Sequence, residues 1–390
     1  MWCLPLDSTS ATIYPFSRNW SNNLYTAVLM WRLDGMITDA AVFRDEYVPQ
    51  RILHRDAEQE LLAHALQPAL VGDRAQDVLI HGPQGTGKSL LARHILQDLA
   101  ERGDIPYGIV GCMGHLSTAS IVRATLEALG ADPAANTPRE DLCLALHERV
   151  NQPTVVVLDE ADNVPETDAL ARLWDCNLLS VVAIVHDETR WLDRVDRECA
   201  WQWHNGVTLQ LDRYAPDHLA DILGPRARTG LAPNVVERSQ LKEIADRAAG
   251  SARRAIQGLH ATADVASERG RDAIADPDIA DGLERARQWI REQNIRSLNY
   301  HHQVLYELIR ASGDLLTGDV HTLYEDHREG LYAGVAPQPV GERYRRDIID
   351  KLVAYDLVDE EGSNRWRTVQ ATDPTIETPL DVDVSAYCRN

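Results

Sequence analysis

Gly82-Pro83-Gln84-Gly85-Thr86-Gly87-Lys88-Ser89 has the spacing G-x-x-x-x-G-K-S, and that spacing suits one task, gripping a polyphosphate. Glycines let backbone amides close around phosphate oxygens. A helix starting at this point adds unpaired N–H groups and a positive dipole end. Lys88 is placed to reach the outer phosphates, and Ser89 to ligate Mg²⁺. The chain has three lysines (Lys88, Lys242, Lys351) among its 39 basic residues, so arginine has taken nearly every other basic position. A flexible, point-like ammonium fits a phosphate loop where a planar guanidinium does not. A second acidic constellation follows in Thr154-Val155-Val156-Val157-Leu158-Asp159-Glu160. An apolar strand ending in Asp-Glu can hold Mg²⁺ with Asp159 and orient an attacking water with Glu160.

These groups need a scaffold. Val78 to Ile80 reads as a buried strand entering the glycine loop, and Leu90 to Leu96 has helical spacing behind it. Tyr107 to Val110 is a further strand, with helices at about 117–129 and 139–150. Ser180 to Val185 is another apolar run and ends at His186, a polar group beside the acidic strand. Alternating strands and helices predict an α/β fold with a parallel sheet, covered by helices on both faces. Ligand is then expected at the carboxyl ends of the strands.

The remaining segments differ in texture. Leu209 and Leu211 form a short strand, and Tyr214-Ala215-Pro216 opens a helix through Leu223, after which Pro225, Pro233 and glycines cut the helices short. Ser251 suits an N-cap, and Asp276 to Arg291 reads as a helix. Val304, Leu305, Leu308 and Ile309 mark one helix face; a second helix spans about 318–330. From Glu342 to Tyr355, the residues Tyr344, Ile348, Ile349 and Leu352 share one face, with Arg343 and Arg346 opposite. Val358 to Val369 predicts a hairpin with Gly362-Ser363-Asn364 at its tip and Arg365, Trp366 and Arg367 on the return strand. Helix and hairpin together make a winged helix, whose arginines could meet DNA. Asp347, Asp350, Asp356, Asp359, Glu360 and Glu361 crowd the same elements, so a protein-binding winged helix stays open.

Composition sets limits. The net charge of −21 excludes nucleic-acid binding through the general field, leaving a local basic patch as the route. Many acidic residues and few lysines point to a halophile cytoplasm, where strong salt screens self-repulsion. The six cysteines include no C-x-x-C pair and read as isolated thiols in a reducing cytosol. No apolar run approaches membrane-spanning length, so no membrane partner is expected. Residues 1–35 carry four charges and three of the nine tryptophans, a texture foreign to the rest; translation is expected to begin at Met36, with 1–35 a non-native or disordered extension.

The chain resembles the archaeal replication initiators related to the origin recognition complex and to cell division control protein six, which are AAA+ ATPases, most closely in their haloarchaeal form. The resemblance covers about residues 37 to 370 and rests on "VFRDEYVPQRILHRD", "HGPQGTGKS", "VVVLDEAD", "VVAIVHDETRWLDRVD" and "GSARRAIQGLHATADVA". It implies an AAA+ base at 36–205, a helical lid at 206–290, a winged-helix DNA-binding domain at 295–372 and an acidic tail at 373–390. It implies ATP or ADP with Mg²⁺, duplex origin DNA, the minichromosome maintenance helicase and other initiator paralogues as partners. Val48, Pro49 and Arg55 are placed over the adenine, Tyr214 beside the nucleotide, and Arg253 on the γ-phosphate from the lid. His186 stands where the family has a sensor asparagine. The arginine-finger segment reads Asp196-Arg197-Glu198-Cys199, so the finger is shifted to Arg197 or lost. The DNA-contacting helix in the base is reduced to a single arginine, Arg123. The resemblance favours an origin-binding initiator with slow or switch-like ATP turnover. The alternatives are a DNA-binding regulatory paralogue that loads no helicase, and a signalling ATPase whose winged helix binds protein.

Overall fold

A computed structural model describes residues 35–113, 117–164, 168–204, 206–363 and 366–380, without the side chains of 197–199 and 204. The expectations for 1–35 (Gly35 apart), for the Arg197 side chain and Arg365, and for the end of the acidic tail therefore lie outside what is described.

In chain order the base comprises α1 (Asp56–Leu66), β1 (Val78–His81), α2 (Lys88–Gly103), β2 (Tyr107–Gly111), α3 (Thr118–Ala128), α4 (Arg139–Arg149) and β3 (Thr154–Asp159). It continues with α5 (Asp168–Trp174), β4 (Leu179–Ile184), α6 (Glu188–Leu192), α7 (Arg197–His204) and β5 (Val207–Gln210). The five strands order as β2-β3-β4-β1-β5 and pair in parallel, with Leu79 opposite Ala183 and Val157 opposite Val182. Strand alternation sorts the apolar residues into two cores. Leu79, Val156, Leu158 and Val181 pack with α3, α4 and α5 on one face. Val78, Ile80, Val155, Val157 and Val182 pack with α1 and α2 on the other. This is the AAA+ arrangement, with the glycine loop after β1 and Asp159 at the end of β3, on either side of β4.

The lid holds α8 (Pro216–Gly230), α9 (Arg238–Arg247), α10 (Ala252–Glu268) and the long α11 (Asp276–Ser297). Pro225 does not end α8 as the sequence suggests: the helix runs through it to Gly230. An interior proline costs about 3 kcal/mol, and tertiary packing offsets it. Leu219, Leu223 and Ala227 are buried in the lid core, and the Arg226 guanidinium donates to the Val42 carbonyl. Gly282 lets α11 cross α10 closely, since a Cβ there would lie 2.4 Å from the Thr262 Cα.

The C-terminal module runs α12 (Tyr300–Ser312), β6 (Leu315–Leu316), α13 (Thr317–Leu331), α14 (Glu342–Ala354), β7 (Val358–Glu361) and β8 (Thr368–Ala371). Its sheet is antiparallel in the order β6-β8-β7, around a core that includes Leu305, Ile309, Val320, Tyr324, Ile349 and Leu352. Three helices with a terminal hairpin form a winged helix. The return strand starts at Thr368, so Trp366 and Arg367 precede it; Thr317 donates its amide to the Arg367 carbonyl and fixes the chain there before pairing begins.

Candidate nucleotide site and nucleic-acid interface

β1 delivers the chain into a loop whose three glycines all have positive φ: Gly82 at 137°, Gly85 at 76° and Gly87 at 92°. Gly82 is obligatory, because a Cβ there would come within 2.3 Å of the Leu211 carbonyl oxygen. The loop feeds directly into α2 at Lys88, so its amides and the helix start converge on one point. The Lys88 ammonium donates to the carbonyls of Gly82 (2.7 Å) and Pro83 (3.0 Å), and the Thr86 hydroxyl to Pro83 at 2.9 Å. Burial lowers the Lys88 ammonium to about 8, against the opposing pull of Asp162, Asp159 and Glu160.

Ser89 Oγ donates to Asp159 Oδ1 at 2.9 Å, bringing the two expected Mg²⁺ ligands together across 70 residues. Burial raises the Asp159 carboxyl, and the Ser89 hydrogen bond works against that rise. A hydroxyl and a carboxylate beside a cradle of amides are the hard oxygen donors a Mg²⁺–polyphosphate takes. The residues therefore fit both groups.

Glu160 follows in the left-handed region, at φ 58°. One carboxylate oxygen accepts from the Tyr355 hydroxyl; the other accepts from Asn163 Nδ2 at 3.3 Å and lies 3.8 Å from Lys351 Nζ. His186 Nδ1 lies 2.9 Å from Asp162 Oδ2. Burial opposes charge on Asp162, but the His186 hydrogen bond and the Lys351 charge hold its carboxyl well below the usual range. Tyr355 is raised well above an ordinary phenol by burial and by the charge of Glu160, so it stands as a donor.

Lys88, Ser89, Asp159, Glu160, His186 and Tyr355 line a cleft of about 440 Å³ together with Gln84, Gly85, Arg93 and Arg253. That is ample for a small-molecule ligand. The Arg253 guanidinium bonds Asn294 Oδ1 (2.8 Å) and Gln293 Oε1 (3.1 Å), and its Nε lies 2.9 Å from Asp45 Oδ2. Its helix is capped as expected, with Ser251 Oγ accepting from the Arg254 amide at 3.3 Å. The Ala252 amide donates to the Gly85 carbonyl at 2.8 Å, seating the lid on the glycine loop.

Three placements differ from expectation. Val48 and Pro49 do not line the cleft; Arg44, Asp45 and Tyr47 do. The short helical turn Ala40–Phe43 is buried against the lid, and Arg226 lies 5.0 Å over the Tyr47 ring, which sets the phase of the following residues. Arg55 is 6% exposed and works as a bracket. It bonds Glu58, the Asp212 carbonyl and the Thr86 carbonyl, with its guanidinium 4.1 Å over the Tyr214 ring. Neither Arg55 nor Tyr214 lines the cleft; both support the loop from behind. Sequence inspection missed Arg44, Tyr47, Arg93, Asn294 and Tyr355. Arg44 and Tyr47 lie in the lead-in stretch beside Val48 and Pro49, Arg93 lies on α2 four residues past Ser89, and Asn294 and Tyr355 belong to no contiguous motif.

The basic patch is thinner than the sequence implied. Arg343 is exposed on α14 and has no ion-pair partner among the described residues. Arg346 is exposed but pairs with Glu342. Arg367 is held by Asp350 at 2.8 Å and by Glu360, because the acidic residues of α14 and β7 converge on it. It is a structural clamp here, and its charge is already compensated. In the base, Arg123 is spent on the carbonyls of Pro133, Ala134, Ala135 and Thr137. No helix of the described residues is long and apolar enough to cross a membrane.

Comparison with known proteins agrees with this geometry. The AAA ATPase domain family matches residues 51–198, and the Cdc6 AAA+ ATPase-type lid domain matches residues 220–284. The phosphate loop, the parallel sheet and this lid define the chain as an AAA+ ATPase. ORC1-type DNA replication protein 9 of Halobacterium salinarum is 29% identical over 344 residues, covering 87% of this chain and 95% of that protein. ORC1-type DNA replication protein 1 of the same organism is 29% identical over 295 residues, covering 74% and 95%. Over most of its length the chain is thus similar to ORC1-type replication proteins, and its lid is of the Cdc6 type. The structure of the Aeropyrum pernix ORC1 protein in complex with DNA shares the fold, with a TM-score of 0.69, 24% identity and coverage of 91% of this chain and 97% of that one.

Proposed function

We propose that this chain is an ATP-controlled initiator that binds duplex origin DNA through its winged helix and helps recruit the replicative helicase, the minichromosome maintenance complex. Residues 36–205 act as base, 206–290 as lid and 295–372 as DNA-binding module, with 373–390 a tail. Lys88 and the glycine-loop amides hold the phosphates of ATP. Ser89 and Asp159 hold Mg²⁺, which supplies charge neutralisation on the outer phosphates. Glu160 orients water, His186 reads the γ-phosphate from the end of β4, and Arg253 reads it from the lid.

The observation that carries this reading is the cleft itself. Base, lid and C-terminal module all contribute to it, through Lys88, Arg253 and Tyr355. A nucleotide lodged there touches every part that must move for DNA binding to be switched. The DNA-bound relative of the same fold supports the choice of ligand for the winged helix.

Duplex binding, measured with and without ATP at high salt, tests it. Arg343→Ala combined with Arg346→Ala is expected to weaken duplex affinity by about tenfold and to flatten its salt dependence by one to two phosphate contacts (about one slope unit each). Arg367→Ala is expected to act through folding of the hairpin instead, lowering stability with no change in salt slope. Absence of duplex binding at any nucleotide state would instead favour the protein-binding winged helix.

A further inference from the structure

Both oxygens of Glu160 are engaged, and the strongest partner comes from another module. Tyr355 sits at the end of α14, 195 residues further along the chain, and its hydroxyl donates to Glu160. The residue is 2% exposed. Its ring also meets His186 edge-on, with centroids 6.2 Å apart. One turn earlier on α14, Lys351 places its ammonium 4.4 Å over the Tyr355 ring and 3.8 Å from Glu160, with no hydrogen-bond partner of its own. A second contact docks the same helix on the base: Arg190 of α6 pairs with Asp350. The turn after Tyr355 is anchored by α11, where Asn294 Nδ2 donates to the Tyr355 carbonyl at 3.0 Å and Arg291 pairs with Asp356 at 3.0 Å. Asn294 accepts from Arg253 with its other amide atom. A continuous chain of bonds thus runs from the lid arginine through Asn294 and Tyr355 to Glu160.

We propose that Tyr355 is a positioning residue that holds Glu160 away from water, so that the docked winged helix is a non-hydrolysing state that must lift off the base before ATP is cleaved. The proposal rests on the reading of the cleft as an ATPase site. Hydrolysis joins a water oxygen to the γ-phosphorus and breaks its bond to the bridging oxygen, releasing ADP, phosphate and a proton. Glu160 orients that water only with a free carboxylate oxygen. Neither oxygen is free here: of the carboxylate's roughly four lone-pair sites, the phenol takes one on the first oxygen and the Asn163 amide one on the second, with the Lys351 ammonium 3.8 Å from the latter, so the group is held in an orientation set by its protein partners. The release path is also built in. A γ-phosphate that draws Arg253 into the cleft takes it off Asn294, which loosens the Tyr355 turn. A winged helix drawn onto duplex DNA breaks the Arg190–Asp350 contact from the other side.

The test compares wild type, Tyr355→Phe, Arg190→Glu, Glu160→Gln and the Tyr355→Phe/Glu160→Gln double variant. Tyr355→Phe keeps the ring and removes the hydroxyl. It is expected to raise ATP turnover by about tenfold, a fraction of the roughly 10²–10⁴-fold that a fully positioned base supplies, and to leave ATP affinity unchanged. Arg190→Glu repels Asp350 without touching the cleft and is expected to raise turnover in the same direction. Hydrogen exchange on the nucleotide-free protein gives a readout independent of activity: segments 187–194 and 347–357 should lose protection together in Arg190→Glu. Glu160→Gln should abolish turnover in both backgrounds. If Glu160→Gln is inactive while Tyr355→Phe and Arg190→Glu leave turnover unchanged or lower it, the holding role is overturned and the ATPase reading survives. If Glu160→Gln turns over normally, Glu160 has no part in hydrolysis and both readings fall.

Discussion

Replacing Lys88 with alanine is expected to raise the dissociation constant for ATP by about a hundredfold or more. The ammonium is buried at the head of α2 and bonds the Gly82 and Pro83 carbonyls, so it is already aimed over the loop that would hold the phosphates. A hydrogen bond to a charged group contributes about 1.5–3 kcal/mol, and two such bonds to the outer phosphates reach the hundredfold scale. Lys88→Arg is expected to recover little of the loss. A planar, bulkier guanidinium does not fit the buried space the compact ammonium fills, and this arginine-rich chain keeps lysine here. Equilibrium titration with a fluorescent ATP analogue measures both variants, with thermal unfolding as the control for folding. Tight binding by Lys88→Ala would remove the glycine loop from nucleotide recognition.

The base was legible because its motifs carry their own geometry. A glycine loop between a strand and a helix can close around phosphate in few ways, and an apolar strand ending in Asp-Glu must place Asp159 near Ser89 if the sheet is parallel. The unbroken apolar run from Val155 through Leu158 marks a strand covered on both faces. Helix phase likewise put Arg343 and Arg346 outward on α14 and Ile348, Ile349 and Leu352 inward.

What stayed hidden depends on distant packing. Tyr355 reads as one more apolar position on α14; only docking of the C-terminal module brings it to Glu160. Val48 and Pro49 are one to five residues from the side chains that do line the cleft, Arg44, Asp45 and Tyr47, because the preceding turn is seated by the lid core and not by local preference. Arg367 illustrates charge compensation: the residue type suits phosphate, yet Asp350 and Glu360 reach it first. In so acidic a chain an arginine in a loop is as readily a clamp as a contact. Pro225 was misjudged for a related reason, since burial of its neighbours outweighs the lost backbone bond.

The lid offers the second large effect. Asp278→Ala is expected to destabilise the lid by about 3 kcal/mol, the lower end of the cost of breaking a buried ion pair. Asp278 is fully buried near the start of α11, yet every hydrogen bond it makes is charge-assisted or to backbone. Oδ1 accepts from Arg269 at 2.7 Å; Oδ2 accepts from Arg271 at 2.9 Å and from the Ala275 amide at 2.8 Å. Alanine leaves the helix start uncapped and two arginines without their shared partner; both are partly exposed and can turn to water, which limits the cost. Burial opposes the carboxylate, but the Ala275 amide and the two guanidiniums outweigh it, and the group titrates below its ordinary range. Its contribution is therefore complete above the unfolded value of about 3.9 and is lost as pH falls through the lower folded value. Wild type and Asp278→Ala should converge in stability under strongly acid conditions and differ most near neutrality. Hydrogen exchange of α10 and α11 reports the lid separately from the base. Because α11 also carries Asn294, a loosened lid should weaken ATP binding as well. Unchanged protection of α10 and α11 in Asp278→Ala would show that helix packing around Gly282, not this carboxylate, holds the lid together.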